Sequence, residues 1–247
     1  MFGLKHGAFL MLSWGALLVT LSAVGSAQAV EVVELVVEDL SPWREPRGGW
    51  RLVGNVMLDP TNPRRLLAHP GSGILINVPM GGTRHLFSVR QYGDVEAHVE
   101  FMVPRGSNSG VYFQGRYEIQ ICDSWGQEKL QANSCAAIYQ RWDDGRGYEG
   151  SIPNRNASRR PGEWQTLDIV FRAPRFDASK NKTANARFQR VVFNGVPIHP
   201  ADVELSGPTR SAPIWKDEQP TGPLMLQGDH GPVAFRHVQV RPLAAAD

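Results

Sequence analysis

Short runs of alternating apolar and polar residues recur along this chain, and that pattern is typical of half-buried β-strands. Between residues 95 and 103 the odd positions are all apolar, whereas Glu96, His98 and Glu100 share the opposite face. Between residues 111 and 121 the even positions are polar or amphipathic, from Tyr112 to Gln120. Side chains alternate across a strand, so each of these strands is predicted to have one core face and one polar face.

The remaining pattern predicts an all-β protein. Gly or Pro interrupts nearly every window in which helical periodicity could build. Asn194-Gly195 is a strong signal for a two-residue hairpin turn. The long irregular stretches 143–162 and 200–223 are expected to be functional or mobile loops. Further strands are predicted at 73–78, 86–89, 164–172, 187–193 and 233–240. Together these elements predict a jelly-roll sandwich of two sheets with long loops.

The two most informative strands are joined by the short connection 104–110, which predicts that they are antiparallel neighbours. Their polar faces would then form one wall of carboxylates, an imidazole, a guanidinium, amides and a phenol. An ordinary solvated sheet face with cross-strand ion pairs is the alternative interpretation. Trp125, Trp142 and Tyr148 lie in nearby loops. Aromatic rings beside carboxylates and amides suit a sugar, which offers apolar C–H faces and hydroxyl edges.

Composition excludes some partners, and the N-terminus indicates export. The 247 residues carry a net charge of only +2, with no dense basic stripe, so nucleic acid is not an expected partner. Lys5 and His6 precede a short apolar run, and Ala27-Gln28-Ala29 resembles a cleavage site. Residues 1–29 are predicted to be a signal peptide and 30–247 a single domain, periplasmic or extracellular. The apolar run is too short for a membrane anchor, so no stable membrane insertion is expected after cleavage.

The chain has two cysteines, Cys122 and Cys135. In an oxidising compartment they could form one disulfide across a short loop. Two separate buried thiols are the alternative, because sequence carries no geometry. The pair lacks the spacing and partner ligands of a zinc site.

Several motifs are distinctive enough to indicate a family. They are Ser107-Asn108-Ser109-Gly110-Val111-Tyr112, Gly115-Arg116-Tyr117-Glu118-Ile119-Gln120 and Leu226-Gln227-Gly228-Asp229-His230-Gly231, together with the segments 93–101, 161–177 and 207–209. With them the chain resembles the 3-keto-disaccharide hydrolases, or 3-keto-glycoside lyase/hydratases, formerly the domain of unknown function DUF1080. The resemblance spans residues 50–242 and implies a concanavalin A-like sandwich.

The resemblance also implies a chemistry. A glycoside oxidised at C3 has an acidic C2–H, so a base can remove that proton and expel the C1 oxygen, after which water adds back. Such a site needs a base, an acid, and donors for the enolate oxygen. The candidate catalytic residues are Glu118 and Glu100, as bases or metal-facing carboxylates, His230, as an acid or base, and Arg116, which would stabilise the enolate or bind hydroxyls. The candidate substrate contacts are Asn108, Tyr112, Gln120, His98, Asp123, Trp142 and Asp229.

Other interpretations of these residues stay open. A tight turn with a capping Asp is the alternative for Asp229-His230-Gly231. A divalent metal among the acids and His98 is conceivable, although no ligand spacing requires one. His69, His85 and His199 have no motif around them and are expected to be surface or packing residues. A non-catalytic carbohydrate-binding module, or an extracellular scaffold domain, remains the alternative to an enzyme.

Overall fold

The computed structural model describes Met1 and residues 31–77, 82–209 and 217–244. Apart from Met1, the predicted signal peptide therefore lies outside the described residues, as does residue 78 of the predicted strand 73–78. No helix in the described part of the chain is long and apolar enough to cross a membrane.

Strands joined by turns and loops make up the described regular structure. They are β1 Val33–Glu34, β2 Arg51–Asp59, β3 Asn62–Ile76, β4 Leu86–Tyr92, β5 Val95–Met102, β6 Asn108–Phe113, β7 Tyr117–Cys122, β8 Arg141–Asp143, β9 Arg146–Tyr148, β10 Gln165–Arg172, β11 Arg175–Phe176, β12 Lys182–Ala184, β13 Ala186–Phe193, β14 Val196–Pro197, β15 Val203–Leu205, β16 Gly222–Leu226 and β17 Ala234–Pro242.

Two antiparallel sheets form the sandwich. The larger sheet has the order β14-β13-β10-β5-β17-β3-β2, with β1 paired to β17 and β15 paired to β13. The smaller sheet has the order β4-β16-β6-β7. Two small hairpins, β8–β9 and β11–β12, stand apart from both sheets. The predicted fold class, an all-β concanavalin A-like sandwich with long loops, is confirmed.

The core lies between the two sheets because each strand turns its apolar positions inward. Val99 of the larger sheet and Val111 and Ile119 of the smaller one belong to a single buried cluster. Phe113 of β6 packs on Phe171 of β10 with ring centroids 5.0 Å apart, which joins the sheets directly. Truncating a buried aromatic ring of this kind to alanine typically costs about 3–5 kcal/mol of stability.

Most predicted strands are present, and Asn194-Gly195 is the predicted hairpin turn. These two residues have φ of 50° and 80°, the left-handed values that a two-residue hairpin of type I′ requires. The sequence pattern missed the long β2–β3 hairpin, whose strands extend from residue 51 to residue 76.

The predicted pairing of strands 95–103 and 111–121 is wrong. β5 lies between β10 and β17 in the larger sheet, whereas β6 and β7 belong to the smaller one. The segment 111–121 is itself two strands, because Gln114 and Gly115 adopt left-handed φ of 55° and 64° and reverse the chain. The Arg116 amide then donates to the Phe113 carbonyl and closes the turn.

The predicted polar wall is therefore divided between the two outer faces of the sandwich. Glu96, His98 and Glu100 lie on the outer face of the larger sheet, with the core between them and Glu118. The structure thus does not bring Glu100 and His98 to the face that carries Glu118, and their partners are neighbours on their own sheet. His98 Nδ1 is 2.7 Å from Asp168 Oδ1 and its Nε2 is 3.3 Å from Glu100 Oε1, and Arg236 also contacts Glu100.

Candidate active site

The candidate site is built on the outer face of the β6–β7 hairpin. Its register sets Asn108 opposite Cys122, Gly110 opposite Gln120, and Tyr112 opposite Glu118. The odd-numbered apolar residues of both strands belong to the core cluster. Because side chains alternate, the even-numbered ones share the other face. This face holds the predicted residues Asn108, Tyr112, Glu118 and Gln120 together.

Glu118 is the most perturbed acid of this face. The residue is only 2% exposed. Burial raises the pKa of its carboxyl to about 8, since a charged form would lose its hydration. The Tyr112 hydroxyl opposes the shift, whereas Cys122 and Asp229 add to it. Glu118 therefore holds its proton at neutral pH and is a hydrogen-bond donor there, which argues against the predicted role of base.

Gly110 makes the room that the Glu118 carboxyl occupies. A β-carbon at position 110 would lie 2.6 Å from Glu118 Oε1 and 2.9 Å from the Tyr112 ring. Both distances are shorter than any ordinary contact, so no larger residue fits without moving the acid. The absence of a side chain at Gly110 thus keeps Glu118 close against β6.

Several amide oxygens around the acid have no hydrogen-bond partner among the described residues. They are Asn108 Oδ1, Gln120 Oε1 and Gln227 Oε1. Leaving a buried acceptor unpaired costs about 1–3 kcal/mol, which indicates atoms kept for a ligand. Gln227 was missed as a site residue, although it lies in one of the motifs that indicated the family. The backbone amide of Gln227 donates to the Gly110 carbonyl at 2.9 Å, so Gln227 lies beside the β6–β7 face.

The turn after β16 supplies an exposed acid and an imidazole. Asp229 Oδ1 lies 2.6 Å from His230 Nδ1, and both side chains are about half exposed. The Gly231 amide donates to the Asn108 carbonyl at 2.8 Å, so this turn packs against the start of β6. Asp229 contacts the imidazole of His230 here, whereas in the alternative interpretation it only caps a tight turn.

His85 is a second imidazole at this turn, and it is not the packing or surface residue expected from sequence. Its Nε2 lies 3.8 Å from Asp229 Oδ2, and its Nδ1 accepts the Gly228 amide at 3.3 Å. Burial lowers the pKa of His85, with Asp229 opposing the shift. His85 and Asp229 are far apart in the sequence, so no motif could have identified His85 as a neighbour of Asp229. His199, in contrast, is a packing residue, bound to Ser151 Oγ and the Ala136 carbonyl.

Two cavities, each of about 480 Å³, open near this face, and Glu118 lines neither of them. The first, the His85 cavity, is lined by His85, Asp229, Arg44, Glu45, Pro46, Thr83, Arg84 and Phe87. The second, the Asn108 cavity, is lined by Gly106, Ser107, Asn108, Gln120, Cys122, Asp123, Gln127, Glu128, Lys129, Gln131 and Asn133. Besides burial, Asp229 of the first cavity and Cys122 of the second both raise the pKa of Glu118, so a residue of each cavity lies near the acid.

Arg116 binds backbone carbonyls at the turn between β6 and β7. Its Nε donates to the Asp217 carbonyl at 2.7 Å and its Nη1 to the Gln114 carbonyl at 2.8 Å. Its own carbonyl accepts the Thr209 amide. These bonds tie the turn between β6 and β7 to two later loops, so the structure supports an anchoring role over the predicted donation to an enolate.

The remaining predicted contacts lie at the edge of the site. Asp123 lines the Asn108 cavity and accepts the amides of Gly106 and Trp125. Trp142 is exposed on the β8–β9 hairpin, outside both cavities. The two cysteines are free, buried thiols. Within the described ranges, no three His, Cys, Asp or Glu side chains are arranged to hold a metal ion.

Comparisons with known proteins agree with this architecture. A crystallised candidate glycosyl hydrolase from Parabacteroides distasonis is 26% identical, with a TM-score of 0.63, covering 86% of this chain and 84% of that one. A second protein so described from the same organism is 20% identical, with a TM-score of 0.52, covering 86% of this chain and 100% of that one. No curated protein sequence matches the chain.

The fold and the family comparison together define a carbohydrate-active sandwich protein of the hydrolase or lyase type. Residues 37–241 match the model of one family, the 3-keto-alpha-glucoside-1,2-lyase-like domain. The chain belongs to that family, as the sequence motifs indicated.

Proposed function

We propose that this protein is an exported enzyme that cleaves 3-keto-glycosides by elimination followed by hydration. The observation that carries the proposal is a buried carboxylic acid, Glu118, whose pKa is raised to about 8 by burial and, to a smaller extent, by Asp229, the carboxylate that holds the His230 imidazole. The acid and the imidazole are the two kinds of group that enolate chemistry needs at neutral pH.

The reaction has a defined electron flow. A base removes the C2 proton, and the electron pair of that bond moves to give an enolate with its charge on the C3 oxygen. The enolate then collapses to a C1–C2 double bond, and the C1–O bond breaks with its electrons on the leaving oxygen, which takes a proton. The C3 ketone re-forms in this collapse. Water finally adds its hydroxyl to C1 and a proton to C2, which restores the saturated sugar and completes a net hydrolysis.

His230 is the proposed base. Asp229 holds its Nδ1 at 2.6 Å, which favours the tautomer with the lone pair on Nε2. A carboxylate in this position also stabilises the imidazolium that forms when the ring accepts the C2 proton. The same imidazolium is then placed to give a proton to the leaving oxygen.

Glu118 is the proposed donor to the enolate oxygen. A neutral carboxylic acid in an apolar site, beside a tyrosine hydroxyl, donates a strong hydrogen bond to a developing oxyanion. Glu118 and Tyr112 are such a pair, because they lie opposite each other on the β6–β7 hairpin. The unpaired oxygens of Asn108, Gln120 and Gln227 would accept bonds from sugar hydroxyls.

The test is release of the leaving group from a 3-keto-glucoside and from the matched unoxidised glucoside. We expect release from the keto substrate alone. His230→Ala should lower the rate about 10²- to 10⁴-fold, as loss of a general base does. Glu118→Gln should lower it about 10²- to 10³-fold, as loss of an oxyanion donor does. Measuring each rate with and without a chelator tests for a divalent metal.

Two matched controls use the opposite sheet. Glu100→Gln and His237→Ala change the same residue types on the outer face of the larger sheet, so both should keep the wild-type rate. Equal release from both substrates would indicate an ordinary glycosidase instead. Sugar binding without turnover of either substrate would indicate the alternative, a non-catalytic carbohydrate-binding module.

A further inference from the structure

The two thiols are brought together at the end of β7. The Ala136 amide donates to the Gln120 carbonyl at 2.7 Å, and the Gln120 amide donates to the Ala137 carbonyl at 2.9 Å. The segment that follows Cys135 therefore runs along β7 like an additional strand. Residues facing each other across such a pair have Cα atoms roughly 4.5–5.5 Å apart, within the range that a disulfide spans.

The contacts of the sulfur atoms show that the side chains meet. The Cys122 amide lies 3.5 Å from Cys135 Sγ, and the two thiols are in hydrogen-bond contact. Cys122 Sγ also lies 3.4 Å from Ser124 Oγ, whose oxygen in turn accepts the Cys135 amide at 2.8 Å. Ser124 thus holds both cysteines in place.

We propose that Cys122 and Cys135 are a redox modification site, which a small disulfide such as oxidised glutathione converts to an intramolecular disulfide. Cys122 lines the Asn108 cavity, so a small oxidant can reach it, whereas Cys135 is buried behind it. The crosslink would tie β7 to the far end of the loop 123–134, part of which lines that cavity.

The reaction has two balanced steps. The Cys122 thiolate attacks one sulfur of oxidised glutathione and expels a glutathione thiolate, leaving a mixed disulfide on Cys122. Cys135 then loses its proton and attacks Cys122 Sγ, expelling the second glutathione. Two protein thiols are oxidised and one glutathione disulfide is reduced to two thiols.

The environments of the sulfur atoms agree with this order. Hydrogen bonds from Cys135 and Ser124 lower the pKa of the Cys122 thiol. Burial raises the pKa of the Cys135 thiol well above its usual value. Cys122 is thus the attacking thiolate and Cys135 the resolving thiol.

The test incubates the reduced full-length protein with oxidised glutathione and follows it by intact mass and non-reducing peptide mapping. We expect wild type to lose two hydrogen atoms and to link the Cys122 and Cys135 peptides. Cys135→Ser should instead retain one glutathione on Cys122, and Cys122→Ser should stay unmodified. Oxidation should raise the Tm of wild type by about 6–12 °C, because a loop of this length is closed, and should leave both variants unchanged.

Other outcomes overturn the proposal. Wild type that keeps a stable glutathione adduct shows that Cys135 cannot reach the mixed disulfide. Equal reactivity of the two single variants shows that the cysteines are not ordered as attacking and resolving thiols. An unchanged Tm in crosslinked wild type shows that the loop is not constrained by the bond.

Discussion

The carboxyl group of Glu118 lies directly over Gly110, so that a β-carbon on Gly110 would be only 2.6 Å from Glu118 Oε1. Gly110→Ala should therefore displace the acid. Forcing an extra methyl into a packed site costs about 1–3 kcal/mol. We expect the free energy of unfolding, measured in urea, to fall by that amount, and the rate of cleavage of a 3-keto-glucoside to fall as well.

A double variant tests the contact itself. In a Glu118→Ala background the methyl group added by Gly110→Ala no longer meets a carboxyl, so the same substitution should cost less. Some cost should remain, because the Tyr112 ring is also within 2.9 Å of the new atom. An equal cost in both backgrounds would contradict the contact.

The raised pKa of Glu118 predicts how stability depends on pH. The folded protein keeps a proton on Glu118 up to pH about 8, whereas the unfolded chain releases it near 4.5. The folded state thus binds more protons in this window, and its stability falls as pH rises, by about 5 kcal/mol in all. Glu118→Gln removes this dependence. In urea unfolding at pH 5 and pH 8, the free energy of unfolding of the variant should rise relative to that of wild type at the higher pH. An equal pH dependence of the two proteins would contradict a protonated Glu118.

His98, on the other sheet, predicts a second and smaller loss of stability as pH rises. Burial alone would lower its pKa, but the hydrogen bonds that His98 donates to Asp168 and Glu100 outweigh burial and raise it. This stabilisation is full below the pKa of the unfolded histidine and is lost as pH rises through the folded one. His98→Gln should reduce stability at low pH by about 1 kcal/mol at most, since the groups are partly exposed. We expect no change in the turnover of a 3-keto-glucoside. A loss of turnover would show that His98 contributes to the reaction.

His85 is expected to be a positioning residue for the Asp229–His230 pair. Replacing it with alanine removes the imidazole that contacts Asp229 Oδ2 and the Gly228 amide. A small displacement of a catalytic group can cost about 10- to 100-fold in rate. We expect kcat to fall by that factor with a smaller change in KM. His69→Ala, an exposed histidine in β3, is the matched control, and equal effects of the two substitutions would exclude positioning.

The sequence was sufficient for the fold class and for half of the site. Alternation predicted which residues of β6 and β7 face away from the core, because that pattern depends only on the local period of a strand. It could not predict the partner of β5, since sheet membership depends on distant strands such as β10 and β17. The break at Gln114 was hidden, because Gln and Gly continued an alternating run. His85 was also invisible, as only the folded chain brings it to Asp229.

The position of β17 has a consequence for biosynthesis. This strand, residues 234–242, lies between β5 and β3 and also pairs with β1, so it joins segments from the whole described chain. A ribosome-bound fragment that ends before residue 234 has a gap in the middle of its larger sheet. Loop closure over such distances is slow, and the missing strand cannot be replaced locally. The larger sheet should therefore stay incomplete, and the polypeptide unfolded, until β17 has left the ribosome.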